Sequence, residues 1–432
     1  MKCLTRWFTD CCAAKLAAAM LCAAWMGSAA AVEERALGAD LAGLLAYARE
    51  HNPELAASRH EADAAVQRLQ PASALPDPVL RIEMMDITNQ GTNKGMSLLP
   101  SQVGTTRYWL MQSVPWFGKR GLQREAAEAQ VAQADGQTVA IWVELENKIK
   151  SAYAQYYFLS GSERLTQEML ALLAAMEQAA QVRYANGAGA QQDVIRAQVE
   201  QSDLRVALLD TEMEQHHAHV RLNALLARPA SASLALPEKM RPLPPPAQLD
   251  SSVLEARLRS RNPQLQIADA QIYGIEKNRA LTYLNRYPGF TFGVMPNQAG
   301  HTIKSWDVMV EFNIPLQQET RRSQEREAEA LLAAGNARKE ALLNQMLAEL
   351  AEGVAGLENA RRTEALTTTR LLPQTELTYQ SALAGYENGK VDFATLLDAQ
   401  RQILKARQQL LKAQYEAQLR LADIEKMLGG EL

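Results

Sequence analysis

The side chains best suited to chemistry are three neighbouring histidines and five scattered methionines. His216, His217 and His219 are close in sequence, and residues three apart, such as His216 and His219, share one face of a helix. A closed zinc site needs about four ligands, and no His-Glu-x-x-His motif supplies the missing ones. The methionines, whose thioethers suit a soft cation but more often fill gaps in a core, are Met84, Met85, Met111, Met295 and Met309. We predict no metal site and no cofactor.

Catalytic motifs are absent from the chain. It contains no Gly-x-Ser-x-Gly nucleophile elbow and no Gly-x-x-x-x-Gly-Lys-Ser/Thr phosphate loop. The formal net charge of −4 argues against a nucleic-acid partner, which usually meets a basic stripe. We therefore expect a protein that is not an enzyme and does not bind nucleic acid.

The N-terminal segment 1–31 has the features of a secretory signal peptide. Lys2, Arg6 and Lys15 precede an apolar stretch at residues 16–25, and small residues lead to a cleavage site after Ala31. All four cysteines lie in this leader, so the exported chain would need no disulfide. Acylation of Cys22 is the alternative, although Leu21 stands where such sites favour a small residue.

The rest of the chain is duplicated, with landmarks that recur at offsets of 200 to 210 residues. Asn52-Pro53 returns as Asn262-Pro263, Pro115 as Pro315, and the turn Asn186-Gly187 as Asn388-Gly389. An internal repeat of this length indicates two structurally similar halves, so the domain organisation is predicted from it first. We predict a first repeat at 32–228, containing a helix, strand–loop–strand and long helical hairpin. A proline-rich linker at 229–249 and a second repeat at 250–432 follow.

Each repeat contains two segments in which apolar and polar residues alternate. Leu80 and Ile82 alternate with charged residues, and a second strand is predicted at 105–114. In the second repeat, strands flank a loop predicted at 296–304, and Trp306, Val308 and Val310 share one face. Strands of about ten residues span a bilayer when tilted.

The helical segments are unusually long. No proline interrupts residues 116–228, and we predict one helix over about 122–183 after an opening helix over 32–70. In the second repeat helices run over 320–428, with a break at Pro373. Leu396, Ile403 and Leu410 keep a seven-residue spacing typical of a coiled-coil seam.

Four strands with one apolar face impose a requirement on assembly. Open strand edges are not tolerated in lipid, and four strands are too few to enclose an aqueous lumen. A barrel shared among three chains would satisfy both conditions with twelve strands. The helical hairpins would then project together on one side of the membrane.

These features resemble the TolC-type outer-membrane efflux protein family over the whole exported chain. The resemblance rests on the duplicated Asn-Pro helices, the Tyr-x-Asn-Gly tips at Tyr184 and Tyr386, and the Leu396-Leu-Asp-Ala-Gln400 segment. The stretch from Val114 to Arg120 is most similar to the heavy-metal cation-efflux branch. It implies a mainly α fold with a membrane β-barrel portion, in which a trimer shares an α-barrel and a 12-stranded β-barrel.

The resemblance also implies roles for residues at the hairpin tips. Asp398 corresponds to an acid that lines the inner aperture, Asp193 to an acid that holds it shut, and Tyr386 to an aperture tyrosine. The basic partner of Asp193 is replaced by Val391 here, with Lys390 adjacent. The residues implied to meet a periplasmic adaptor are Asn186, Gly187, Gly189, Asn388, Gly389 and Lys390. Simple solvated helix acids are the alternative for Asp193 and Asp398.

Aromatic and basic residues near strand ends suggest a membrane-interface girdle. Trp116, Phe117 and Trp306 would lie at the interface, with Lys119 and Arg120 meeting lipid phosphates. Core packing at the strand-to-helix corner is the alternative, and it applies equally to Trp109.

The function implied by the resemblance is a passive exit duct in the outer membrane of a Gram-negative bacterium. Its partners would be a periplasmic adaptor and an inner-membrane transporter of the resistance-nodulation-division class. Heavy-metal cations are the favoured cargo, with multidrug efflux and type I secretion as alternatives. A periplasmic coiled-coil scaffold, a metal-binding chaperone and a hydrolase are the rivals from other classes.

Overall fold

The computed structural model describes residues 37–88, 96 and 98–432. The predicted signal peptide and Cys22 lie outside the described residues. In chain order the elements are α1 (Leu41–His51), α2 (Pro53–Gln67), α3 (Leu69–Ser73), β1 (Val79–Met85), β2 (Thr105–Val114), α4 (Lys119–Ala185), α5 (Gln191–Leu225), α6 (Ser251–Arg261), α7 (Pro263–Leu284), β3 (Phe290–Ala299), β4 (Thr302–Phe312), α8 (Gln318–Leu366), α9 (Leu372–Glu387) and α10 (Phe393–Leu428).

The described chain forms two compact units. The hairpin unit contains residues 37–56, 141–260 and 346–432, and the sheet unit contains residues 57–140 and 261–345. Both long helices, α4 and α8, contribute residues to each unit. No helix in the described ranges is both long and apolar enough to cross a membrane.

The opening helix predicted over 32–70 is wrong as one continuous element. It is broken at Asn52, whose backbone is extended, with φ −72° and ψ 122°. The Asn52 side-chain oxygen accepts hydrogen bonds from the amides of Glu54 (2.9 Å) and Leu55 (3.1 Å). Asn262 caps Leu265 in the same way at 3.1 Å. The Asn-Pro landmark is therefore a helix start, with an N-cap asparagine and proline in the first turn.

The sheet unit contains one antiparallel sheet in the order β1-β2-β3-β4. Its register aligns Leu80, Leu110, Val294 and Val308 in a single row across all four strands. These four side chains are 62%, 55%, 44% and 77% exposed. The predicted alternation is thus confirmed, and among the described residues it leaves one face of the sheet apolar and exposed.

The predicted loop at 296–304 is wrong, because most of it is strand. β3 continues to Ala299 and β4 begins at Thr302, with Gly300 in the turn at φ +62°. Pro296 lies inside β3 opposite Trp306, and the register shifts between Asn297 and Gln298. Proline is tolerated in strands beside such irregularities, so it did not mark the strand end here.

The hairpin unit is held together by an apolar core near its two turns. The buried residues that form it come from four helices and include Leu173 on α4, Leu204 on α5, Ala382 on α9 and Leu396 on α10. Ile403 and Leu404 are buried one heptad after Leu396 and Leu397, which confirms the predicted seam. The break expected at Pro373 is a stretch of π-helix at Thr367–Leu371, so the chain bulges there without ending its helical course.

A buried ion cluster fixes the C-terminal end of α10. The Lys150 side chain is only 2% exposed, and its Nζ lies 2.5 Å from Glu146 and 2.8 Å from Glu425. Arg241 Nη1 also binds Glu425, at 3.0 and 2.9 Å from its two oxygens. Removing one partner of a buried pair leaves an uncompensated charge, which costs far more than loss of a surface pair.

We expect Lys150→Met to lower the free energy of unfolding by about 3 kcal/mol, because Glu146 and Glu425 lose their shared cation. The matched control is Lys148→Met, whose side chain is 51% exposed and pairs with Glu144 at 3.4 Å. That change should cost less than about 1 kcal/mol. Denaturant titration in detergent, followed by circular dichroism, measures both. Equal losses for the two variants would contradict a buried cluster.

Candidate aperture at the hairpin tips

The two hairpin turns share one backbone pattern. Asn186 N donates to Val182 O, Gly187 N to Tyr184 O, and the next amide to Arg183 O. The second tip repeats these bonds from Asn388, Gly389 and Lys390. Gly187 and Gly389 adopt φ of +70° and +68°, a conformation that glycine enters without strain. The Asn-Gly landmarks are thus the residues that end α4 and α9.

Arg183 joins the two tips within the hairpin unit. Its Nη1 donates to the carbonyl of Tyr386, and also to that of Glu387 at 3.5 Å. Its Nη2 donates to Ala188 O at 3.3 Å. The guanidinium carbon also lies 4.6 Å from the centre of the Tyr386 ring, within cation–π range. One side chain of the first hairpin therefore holds backbone groups of both turns.

Tyr386 is buried under this contact. Its ring meets Phe393 edge-on, with centroids 5.5 Å apart. Within the described part of the chain its hydroxyl has no hydrogen-bond partner. Burial raises the pKa of Tyr386; the charge of Asp193 raises it further, whereas Arg183 acts in the opposite direction. Tyr386 and Asp193, both singled out from the sequence, are therefore brought together at the tips.

Asp193 and Val391, which occupies the position of its expected basic partner, have different surroundings. Asp193 is half-buried in the first turn of α5. Val391 packs against Gly385, where an added Cβ would come within 2.6 Å of its side chain. Lys390 is exposed. Arg183, which has no signature in the sequence, is a cation that binds carbonyl groups of both turns.

Asp398 lies on α10 with its side chain 66% exposed, next to a strongly held arginine. Arg401 Nη1 is 3.6 Å from Asp398 Oδ1. The same guanidinium binds Glu200 far more closely, with Nε 3.0 Å from both carboxylate oxygens and Nη2 also in contact. The Glu200 hydrogen bond raises the pKa of Arg401 more than any other influence. The main ionic partner of Arg401 is therefore Glu200, and Asp398 is a more distant one.

The remaining predicted tip residues lie on or beside the turns. Asn186, Gly187, Asn388, Gly389 and Lys390 are exposed, whereas Gly189 is half-buried. A Cβ on Gly189 would come within 3.1 Å of the Arg183 Cβ. The turns thus present small side chains and backbone to their surroundings.

The proposed girdle residues fall into two groups in the sheet unit. Trp116 stacks on Tyr287 and Phe290, with centroids 4.8 and 5.8 Å apart, so it packs a corner. Phe117 and Trp306 are 81% and 66% exposed. The basic groups meet protein atoms: Lys119 Nζ donates to Asn285 at 3.0 Å and Arg120 Nε to Ser73 O at 2.7 Å.

The histidines do not converge on a common point. The rings of His216 and His217 lie 6.2 Å apart, whereas His219 packs near Tyr156. Burial lowers the pKa of His219, with a smaller contribution from His216. Nowhere in the described ranges do three or more His, Cys, Asp or Glu residues form a group able to hold a metal ion.

The described part of the chain thus combines a four-stranded sheet that has an exposed apolar face with long helical hairpins, which fits a protein that contacts lipid. The chain matches the family model "Outer membrane efflux protein" over residues 44–228 and 254–430, and it belongs to that family. The predicted membership and fold class are confirmed. It is an outer membrane efflux protein.

Known proteins similar to this chain cover nearly its whole length. The cobalt-zinc-cadmium resistance protein CzcC of Cupriavidus metallidurans is 23% identical over 400 residues, which is 90% of each chain. The structure of CusC superposes with a TM-score of 0.78 at 18% identity, covering 90% of this chain and 92% of that one. VceC of Vibrio cholerae gives 0.77 at 18% identity, covering 90% and 96%. These likenesses establish the fold.

Replacing Arg183 should loosen the second hairpin tip. Hydrogen bonds to a charged donor contribute about 1.5–3 kcal/mol each, so in Arg183→Ala we expect amide hydrogen exchange over residues 385–391 to accelerate on the order of tenfold or more. Arg183→Lys should accelerate it too, because a single ammonium lacks the planar fork that serves several carbonyls.

The control for this prediction is Arg164→Ala, an exposed arginine on the same helix. It should leave exchange at the second tip unchanged. Protection of residues 385–391 that is equal in all three variants would remove Arg183 from any role in joining the tips.

Proposed function

We propose that three copies of this chain form a passive exit duct for heavy-metal cations across the outer membrane. The observation that carries the proposal is the row of exposed apolar side chains across a sheet whose outer strands, β1 and β4, each have an unpaired edge among the described residues. In lipid those edge amides must find partners. Pairing β1 of one copy with β4 of the next satisfies them.

The number three follows from the size of the barrel. Eight strands leave an interior that side chains fill, so two copies would not give a wide aqueous path. Three copies supply twelve strands. The long hairpins would continue the path into the periplasm, closed at the tips described above until a periplasmic adaptor binds there.

The coiled-coil scaffold without a pore is the main rival. It explains the heptad seam in α10, but it gives no reason for Trp306, Val308 and Val310 to be more than half exposed on one strand face. A chaperone or hydrolase would need convergent ligands or a nucleophile–base pair. The shared fold with CusC and VceC favours the duct over both rivals.

Heavy-metal cations are the cargo best supported by the similarity to CzcC, a cobalt-zinc-cadmium resistance protein. We extend this to an inner-membrane transporter of the resistance-nodulation-division class as the energy source. Multidrug efflux and type I secretion are the alternative cargoes for the same duct.

The acids near the tips support cation passage. Three copies of Asp398 around an aperture would form an anionic ring, which favours cations. Arg401 would weaken that ring if it paired fully with Asp398. Because Glu200 binds Arg401 through three contacts, most of that positive charge is already balanced and the Asp398 carboxylate remains available.

Two measurements test the duct: the mass of the assembled protein, and the metal tolerance of cells that produce it. We expect the full-length protein, extracted from outer membranes in mild detergent, to have the mass of a trimer in native mass spectrometry. In a strain lacking the native gene, but retaining its adaptor and transporter genes, the chain should restore growth on zinc, cadmium or silver salts. A water-soluble monomer would overturn the duct, and restored drug tolerance alone would overturn the cargo.

Asp398→Ala should raise single-channel conductance or weaken block by trivalent cations in planar bilayers, because the proposed ring loses three charges. Asp210→Ala removes an exposed acid elsewhere on the hairpin and serves as the control. Unchanged conductance and block would remove Asp398 from the aperture.

Glu200→Gln provides a second arm of the same experiment. Freed from Glu200, Arg401 can pair with Asp398, so block by trivalent cations should weaken although Asp398 is intact. The double variant Glu200→Gln/Arg401→Gln should restore block. Glu212→Gln, an exposed acid on the same helix, should have no effect.

A further inference from the structure

The face of the sheet opposite the apolar row carries three methionines. Met111 on β2, Met295 on β3 and Met309 on β4 each neighbour a residue of the apolar row, and successive residues in a strand point to opposite faces. Met111 and Met295 are buried and Met309 is half-buried. The three thioethers therefore share the polar face, which would line the lumen of the proposed barrel.

Gly293 allows two of these methionines to meet. It lies opposite Met111 on one side and opposite Met309 on the other. A Cβ at this position would lie 3.2 Å from Met309 Cε and 3.3 Å from Met111 Cγ. Any side chain here would push the methionines apart. The glycine thus brings two sulfur-bearing side chains together over the backbone of β3.

An acid stands in the neighbouring row. Asp307 pairs with Met295 across the strands and lies two residues before Met309 on the same face. Its Oδ2 accepts a hydrogen bond from Asn297 Nδ2 at 2.8 Å, which orients the carboxylate. Asn297 is 9% exposed, and its Oδ1 has no partner in the described part of the chain. Oxygen and sulfur donors therefore occupy adjacent rows.

The charged residues on this face favour a cation beside the methionines rather than beside Asn297. Arg107 lies opposite Asn297, so a cation would be repelled from that end of the face. Asp307 attracts a cation from the other direction, next to Met295 and Met309. The donors available there are neutral thioethers and one carboxylate.

We propose that Met111, Met295, Met309 and Asp307 form a binding station for a soft monovalent cation, of the Cu(I) or Ag(I) class. Thioethers select such ions, whereas zinc and cobalt favour imidazole, thiolate or oxygen donors. Three of these four donors are neutral, which favours release of the cation, as conduction requires. This inference rests on the proposed duct and adds soft monovalent cations to its proposed cargo.

The test uses the full-length protein in detergent and silver ion in a chloride-free buffer. Bound silver is measured by inductively coupled plasma mass spectrometry after gel filtration. We expect Met111→Leu/Met309→Leu to weaken silver binding on the order of tenfold or more, since both replaced side chains are ligands. Leucine preserves volume, so the fold should persist. Zinc should not be retained by either protein.

The control variant Met169→Leu/Met213→Leu removes the same number of thioethers from helices. It should bind as much silver as the unaltered protein. Gly293→Ala retains every methionine but wedges two apart, so it should also weaken binding. Silver binding that is equal in the unaltered protein and in Met111→Leu/Met309→Leu would overturn the station.

Failure of this inference can be separated from failure of the duct. If the protein is a monomer or restores no metal tolerance, the proposed function fails whatever the binding data show. If it is a trimer that restores tolerance but the methionine variants bind silver normally, only the station fails.

Discussion

Backbone hydrogen bonding at the sheet edges is the constraint on which the rest of the structure depends. A row of apolar side chains on one face fits the sheet to lipid, where an unpaired amide has no water to bind. The described part of the chain contributes four strands, and the outer two each have an unpaired edge there. In the proposed trimer, association with further copies would satisfy these edges, and each chain would contribute a fraction of one barrel. The duplication follows the same logic, because each repeat supplies two strands and one long hairpin.

The hairpin unit meets a different physical problem, which is to hold long helices in register at their turns. Apolar packing fixes the helices along their length, as Leu173 and Leu396 illustrate. At the turns, glycine and small residues leave little apolar surface to bury. A charged side chain that binds several carbonyls, such as Arg183, replaces it with directional bonds. Such bonds can be exchanged for water more readily than a packed core can be opened, which would suit the proposed opening of the tips.

Sequence predicted the parts of this molecule that depend on periodicity. The seam of α10 and the alternation in β4 have simple repeats that reflect burial on one face. The helix break at Asn52 was not predicted, because the repeated Asn-Pro sequence does not by itself show that the asparagine caps a new helix. Pro296 predicts a loop from sequence, but it lies within β3, beside an irregularity in the strand pairing. Arg183 has no local signature, since its partner Tyr386 is 203 residues away. Contacts between a side chain and a distant backbone leave no pattern in one sequence.

The tips and the sheet would act on a cation by different physical means. The Asp398 side chain is 66% exposed, so its attraction for a cation would be long-ranged but screened by salt and poorly selective between cations. The methionines carry no charge and act only on contact, where the softness of sulfur distinguishes ions of equal charge. At the tips an acid would act alone, whereas in the sheet Asp307 lies beside the thioethers, which add recognition of soft ions to its attraction. Gly293 would matter for this recognition, because it lets Met111 and Met309 approach each other.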